Sequence, residues 1–282
     1  TQWGRLSVSE SGSRLRGVLV AHAADSFSTL PDILTAMAHI DILADDVSLD
    51  EPTLVEGLPG VGLVGKIAAD HLVDEFEMVH YANVFCEGIP RVAVYADDDA
   101  ELRTPVRLYA DDERNLLVLQ SDVPIHPQAA AEFATCIRSW FEEDGVVPIF
   151  LSGIGEEKTD DVPQLYGVAS GEGGTLLEQA GIGRPTEMGI VTGPTGALMN
   201  HVLEHDLTSV GLVVESDPQF PDPEAARVLI KKGIEPLTGV EVPVDDLVDH
   251  AEEIREAKQR LAKRMQEVDD ESTQAQPLRM YQ

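Results

Sequence analysis

The residues best spaced for chemistry lie at Glu56–Lys66, EGLPGVGLVGK. Gly60, Gly62 and Gly65 spell G-x-G-x-x-G between a stretch that reads as a strand and one that reads as a helix. Glycines so placed let backbone N–H groups approach a phosphate at a helix N-terminus, and Lys66 would neutralise its charge. Gly60 through Lys66 also spell G-x-x-x-x-G-K, but Ile67 stands where a P-loop needs a Ser or Thr hydroxyl for Mg²⁺. Dinucleotide binding asks further for an acid at the end of the following strand, and MVHYANVFCEG offers only Glu87, slightly late. The glycines also serve as packing, letting a strand turn sharply into a close helix. That is the preferred reading of the turn.

A second constellation is His201-Val-Leu-Glu204-His205, H-x-x-E-H on a helical stretch. Histidines at i and i+4 share a helix face and suit zinc. A metalloprotease would need a third ligand from a later helix, for which Glu224 is available but unmarked. Asp206-Leu-Thr then ends the helix, so a solvated helix end is preferred and no metal is expected. The chain has no G-x-S-x-G elbow and no cysteine-rich metal spacing. Asp217-Pro-Gln-Phe-Pro-Asp-Pro is a stiff acidic loop, in which Asp222 and Pro223 read as the N-cap and first residue of a helix.

These residues need elements to hold them. From Pro52 on, apolar runs of strand length alternate with helical patterns. Strands are expected at 53–58, 78–85, 91–95, 114–120, 146–152, 189–192 and 209–216, and helices at 62–76, 127–143, 172–180, 196–205 and 222–235. RVAVY and TPVRLYA alternate and read as an antiparallel hairpin around DDDAE. Apolar strands separated by helices predict an α/β fold, a mainly parallel sheet covered on both faces.

Composition narrows the function classes. The 282 residues carry 51 Asp and Glu against 20 Lys and Arg, a net charge of −31. Such a surface repels phosphates, which argues against nucleic acid and anionic membranes as partners. Dense carboxylates with few lysines suit a protein kept soluble in high salt, where a Debye length of about 3 Å at 1 M screens self-repulsion. A halophilic host is therefore expected. Cys86 and Cys136 each lie in an apolar run and read as reduced core thiols, which fits a cytoplasmic setting. No apolar run is long enough to span a membrane.

Both ends differ from this body. Residues 1–36 balance Arg5, Arg14 and Arg16 against Glu10, Asp25 and Asp32, so the net charge belongs wholly to 37–282. They read as a disordered or non-native upstream extension, with Met37 the expected natural start of an α/β domain over 37–243. Residues 244–269 read as a long helix, since Leu247, Ile254, Leu261 and Val268 recur every seven positions, with Ala251 and Met265 four after Leu247 and Leu261. Residues 270–282 are polar and aperiodic before Pro277 and read as a flexible tether ending in Met280-Tyr281-Gln282. The tyrosine offers a rigid ring with a polar tip, and the terminal carboxylate a charge for a lysine. This hydrophobic-Tyr-X ending resembles the tails by which proteasome-binding factors dock on the proteasome α-ring.

EGLPGVGLVGKIAADHLV (56–73), SGIG (152–155), MGIVTGPTGALMNHVLEH (188–205) and LVVESDPQFPDPEAARVLI (212–230) together resemble the proteasome assembly chaperone family in its archaeal form, over about 40–268. The resemblance implies a three-layer α/β sandwich with a parallel sheet, self-association, no catalytic residues and no cofactor. It implies proteasome α-subunits as partners, held by Met280, Tyr281 and Gln282. The alternative is a nucleotide-binding or ATP-grasp-like small-molecule enzyme using the Gly60–Lys66 turn, although no set of acidic Mg²⁺ ligands accompanies it. A structural oligomer with an incidental tail is the third reading.

Overall fold

A computed structural model of the chain describes residues 39–245 and 247, apart from 87, 96–99, 144 and 156–161 and the side chains of 138–143. The upstream extension, Glu87, the helix beyond 247 and the tail with Met280, Tyr281 and Gln282 all lie outside the described residues.

The strands are β1 (His39–Ile42), β2 (Thr53–Gly57), β3 (Val79–Phe85), β4 (Val106–Asp111), β5 (Leu116–Ser121), β6 (Val147–Gly155), β7 (Leu165–Ser170) and β8 (Ser209–Ser216). They form one sheet in the order β1-β3-β4-β5-β2-β6-β8-β7. The expectation of a mainly parallel sheet holds at the centre, where β5, β2, β6 and β8 run parallel. It is corrected at the flanks, where β1, β3, β4 and β7 pair antiparallel. The sheet is therefore mixed.

Helices α1 (Val64–Glu75), α2 (Ala130–Glu143), α3 (Gly173–Gln179), α4 (Gly193–Glu204) and α5 (Pro223–Leu229) cover it. Strand alternation assigns side chains to two cores. Val55, Val118, Leu151 and Leu212 meet Ala68 and Leu72 of α1 and Ala226 and Leu229 of α5 in one. Leu54, Leu117 and Phe150 meet Phe133 of α2 and Leu198 and Val202 of α4 in the other. Two apolar layers on opposite faces of one sheet make the three-layer architecture. The start of α5 is as expected: Asp222 caps it, accepting from the Ala225 amide at 3.2 Å, with Pro223 first in the helix. The expected single helix over 222–235 is interrupted, since α5 passes into a π-turn, Ile230–Ile234, before α6 (Glu235–Thr238).

Three other expectations need correction. RVAVY forms no strand, only an isolated bridge between Val94 and Arg103. TPVRLYA pairs instead with β3 and β5, as β4. The run at 189–192 is an exposed approach to α4, with Met188 100% and Ile190 88% accessible. Finally, Cys86 and Cys136 are not reduced thiols: they form a disulfide, Cα to Cα 5.9 Å across a separation of 50 residues. The end of β3 and the middle of α2 meet only in the folded chain, which residue spacing does not reveal. The thiol argument for a cytoplasmic setting falls with it.

Candidate functional site

Ligand crevices in α/β sheets open beyond the carboxyl ends of the parallel strands. Here β2 ends at Gly57, and the chain turns through a 3-10 segment, Val61–Leu63, into α1. Gly62 takes φ +62°, and a β-carbon there would stand 1.8 Å from Ser216 Oγ at the end of β8. Its carbonyl accepts from the Asp222 amide at 2.8 Å. A β-carbon on Gly65 would meet Leu151 Cβ at 3.2 Å, whereas Gly60 has nothing within 4 Å. Gly62 and Gly65 thus let the turn lie against β6 and β8, and Gly60 faces open space.

Lys66 is committed to two carboxylates. Its ammonium lies 2.8 Å from Asp70 Oδ2 and 3.2 Å from Asp122 Oδ1. Asp122 also accepts from buried Arg107 at 2.6 Å, and Arg107 Nε donates to Tyr109 Oη at 3.0 Å. Gln120 donates to Asp70. The fold therefore brings Lys66 into a network crossing α1, β4 and β5. Asp70 lies one turn from Lys66 on α1, but Arg107, Gln120 and Asp122 come from the β4–β5 hairpin, and nothing in the sequence places that hairpin beside α1.

Where β2 leaves β6, a buried carboxyl fills the gap. Register pairs Glu56 with Phe150, the last parallel partners of these strands. The Leu151 amide donates to Glu56 Oε2 at 3.3 Å and the Thr195 hydroxyl, from α4, to Oε1 at 2.8 Å. Glu56 is fully buried. Burial pushes its carboxyl from the ordinary 4.5 up to about 8, opposed by the hydrogen bonds from Thr195, Leu151 and Leu58. The side chain thus ties the diverging strands to the start of α4. An acid inside the apolar run TLVEGL was the available signal for it.

A cavity of about 280 Å³ lies between the β6–β8–β7 end of the sheet and residues 185–191. Ile154, Val168 and Val213 line its apolar side, and Ser152, Tyr166 and Glu187 supply polar groups. Met188 and Ile190, the most exposed large apolar side chains among the described residues, belong to this wall. At the other end of α4, His201, Glu204 and His205 come together, with one ligand atom of each within 4.8 Å of the others. Glu224 is not part of that group; it pairs with Arg227 at 2.7 Å.

A mixed sheet with a parallel centre, helices on both faces and a tightly packed glycine turn after its central strand defines a particular kind of α/β protein. The sequence profile of the PAC2 family matches residues 54–262, and the chain belongs to that family. An uncharacterized protein of Methanocaldococcus jannaschii is 27% identical over 233 residues, 81% of this chain and 90% of its own. Among solved structures, Pyrococcus furiosus PbaA, described as an archaeal homolog of proteasome-assembly chaperone, superposes with a TM-score of 0.69 at 25% identity, covering 84% of this chain and 96% of PbaA. Pyrococcus furiosus PbaB, described as an archaeal proteasome activator, shares the fold, with a TM-score of 0.66 at 21% identity over 80% of this chain and 98% of PbaB. No helix among the described residues is long and apolar enough to cross a membrane.

Proposed function

We propose that this protein is a non-catalytic proteasome assembly factor that binds proteasome α-subunits through Met280, Tyr281 and Gln282. The observation that carries the reading is membership of the PAC2 family together with the likeness to PbaA over most of both chains. The tail sequence supplies the means. On docking, Tyr281 would anchor the tail with its ring in an apolar pocket, Met280 would fill the adjoining apolar contact, and the Gln282 carboxylate would pair with a lysine of the partner. Three residues bury little area, so a single tail binds weakly. Several tails on one oligomer raise avidity by roughly 10²–10⁴ where their spacing matches the ring.

Self-association of the α/β body supplies those copies. Met188 and Ile190 favour the rim of the cavity as the contact, since large apolar side chains this exposed gain most from being covered by a second copy. The charge of −31 favours a halophilic archaeal host with a salt-rich cytoplasm, where such copies approach without strong repulsion. Co-sedimentation of Tyr281→Ala with purified α-subunits tests the reading. Binding should be lost while the oligomer persists; undiminished binding would overturn the docking role.

The second reading, an ATP-grasp-like or nucleotide-binding enzyme, has Gly60 in its favour, the glycine of the turn beside open space. Its phosphate cation, Lys66, is already held by Asp70 and Asp122. Saturable ATP binding in equilibrium dialysis, abolished by Lys66→Met, would bring that reading forward.

A further inference from the structure

The C-terminal end of α4, with His205 as its C-cap, gathers three metal-ligating side chains for which the docking function has no use. His201, Glu204 and His205 stand at i, i+3 and i+4 and so share one helix face. Among the described residues they are the one group of His, Cys, Asp and Glu whose ligand atoms converge, all within 4.8 Å of one another. The imidazole rings lie 4.1 Å apart between centroids, tilted by 35°.

Two neighbouring contacts prepare these groups as ligands. His205 Nδ1 is 2.9 Å from the carbonyl oxygen of His201. A neutral His205 donating its proton there carries its lone pair on Nε2, the arrangement in which histidines bind metals. Asn200 Nδ2 donates to Glu204 Oε1 at 2.7 Å, which orients that carboxylate and leaves Oε2 as a ligand atom. His201 is buried while Glu204 and His205 are exposed, so an ion would enter from solvent and finish half-covered.

We propose that His201, Glu204 and His205 bind a divalent transition-metal ion, with zinc the best fit. Two imidazoles and one carboxylate suit zinc, nickel or copper better than magnesium or calcium. Zinc bonds of about 2.0–2.2 Å put tetrahedral ligand atoms roughly 3.4 Å from one another. Bringing the three groups from within 4.8 Å to that separation asks for closure of up to about 1.4 Å, within reach of side-chain torsions in exposed Glu204 and His205. Water completes the coordination. The carboxylate is a ligand here, and with water in the fourth position the site is open on its solvent side. It clamps the C-terminal turn of α4, whose first turn is tied to the sheet by Thr195 and Glu56.

The test is zinc titration of the untagged full chain after chelator treatment, with excess magnesium present to saturate the acidic surface. Cobalt absorption reads the coordination directly, and the thermal midpoint reads the clamp. One zinc per chain, nitrogen-ligated cobalt bands and a raised midpoint are expected. His205→Ala and Glu204→Gln, both at exposed positions, should each weaken binding at least tenfold with unchanged circular dichroism. No saturable zinc site in the presence of magnesium would overturn the proposal, as would equal affinity in His205→Ala.

Discussion

Replacing Glu56 by Gln should make the protein more stable in neutral and alkaline solution. The magnitude follows from burial. The unfolded chain loses this proton near pH 4.5, and the folded protein keeps it to about pH 8. Between those values the native state holds one proton more than the unfolded state, so stability falls as pH rises. Glu56 therefore imposes no penalty below pH 4.5 and its full penalty above pH 8. At about 1.4 kcal/mol per pKa unit the whole swing is roughly 5 kcal/mol. Gln keeps the shape and removes the titration. Its carbonyl accepts from the Leu151 amide, and its amide group faces the Thr195 hydroxyl, which turns from donor to acceptor. Urea unfolding of both proteins at constant ionic strength from pH 5 to 9 is the assay. The difference in unfolding free energy should grow steadily in favour of Gln up to pH 8 and then level. Parallel profiles would refute the buried, protonated carboxyl.

Other perturbations follow from the same geometry. Replacing Cys86 and Cys136 by Ser opens a loop with a sequence separation of 50, which chain entropy values at about 4 kcal/mol; an unchanged urea midpoint under oxidising conditions would count against the bond. Gly62→Ala forces a β-carbon into the left-handed region, 1.8 Å from Ser216 Oγ, and should destabilise by about 2 kcal/mol or more by urea unfolding. A neutral result would mean the turn is looser than its packing against β8. Met188→Asp with Ile190→Asp should leave the circular dichroism unchanged and shift light-scattering mass toward the monomer. Retained oligomers would remove this rim from the self-association surface.

How far the sequence reveals the fold differs by region. The centre is legible because β2, β5, β6 and β8 are apolar runs bounded by turns, and Pro127 and Asp222-Pro223 mark helix starts by local chemistry. The flanks are not. β1 is four mostly exposed residues, and β7, with a glycine in its middle, shows no strong period. β4 is legible as the alternating stretch TPVRLYA, but its partners are β3 and β5 rather than RVAVY, and those depend on which strands the tertiary fold brings alongside. Gly189-Ile-Val-Thr192 reads as a strand because it is apolar, yet among the described residues it joins no pairing and runs into α4.

The candidate sites divide the same way. The glycine turn was found by spacing, and its close packing against Ser216 and Leu151 needed the fold. Glu56 leaves a trace, an acid in an apolar strand, whereas of the network around Lys66 only the i, i+4 pair with Asp70 is local, and Asp122 lies 56 residues away. The disulfide lay beyond sequence reasoning for the same reason.

The central claim is that Met280, Tyr281 and Gln282 carry proteasome binding. The direct measurement is a binding isotherm for isolated α-rings in molar KCl, with the full chain beside one lacking those three residues. Saturable binding by the full chain, lost in the shortened one at equal oligomeric mass, is the predicted result. Equal affinity of the two would contradict the account and move the contact to the α/β body.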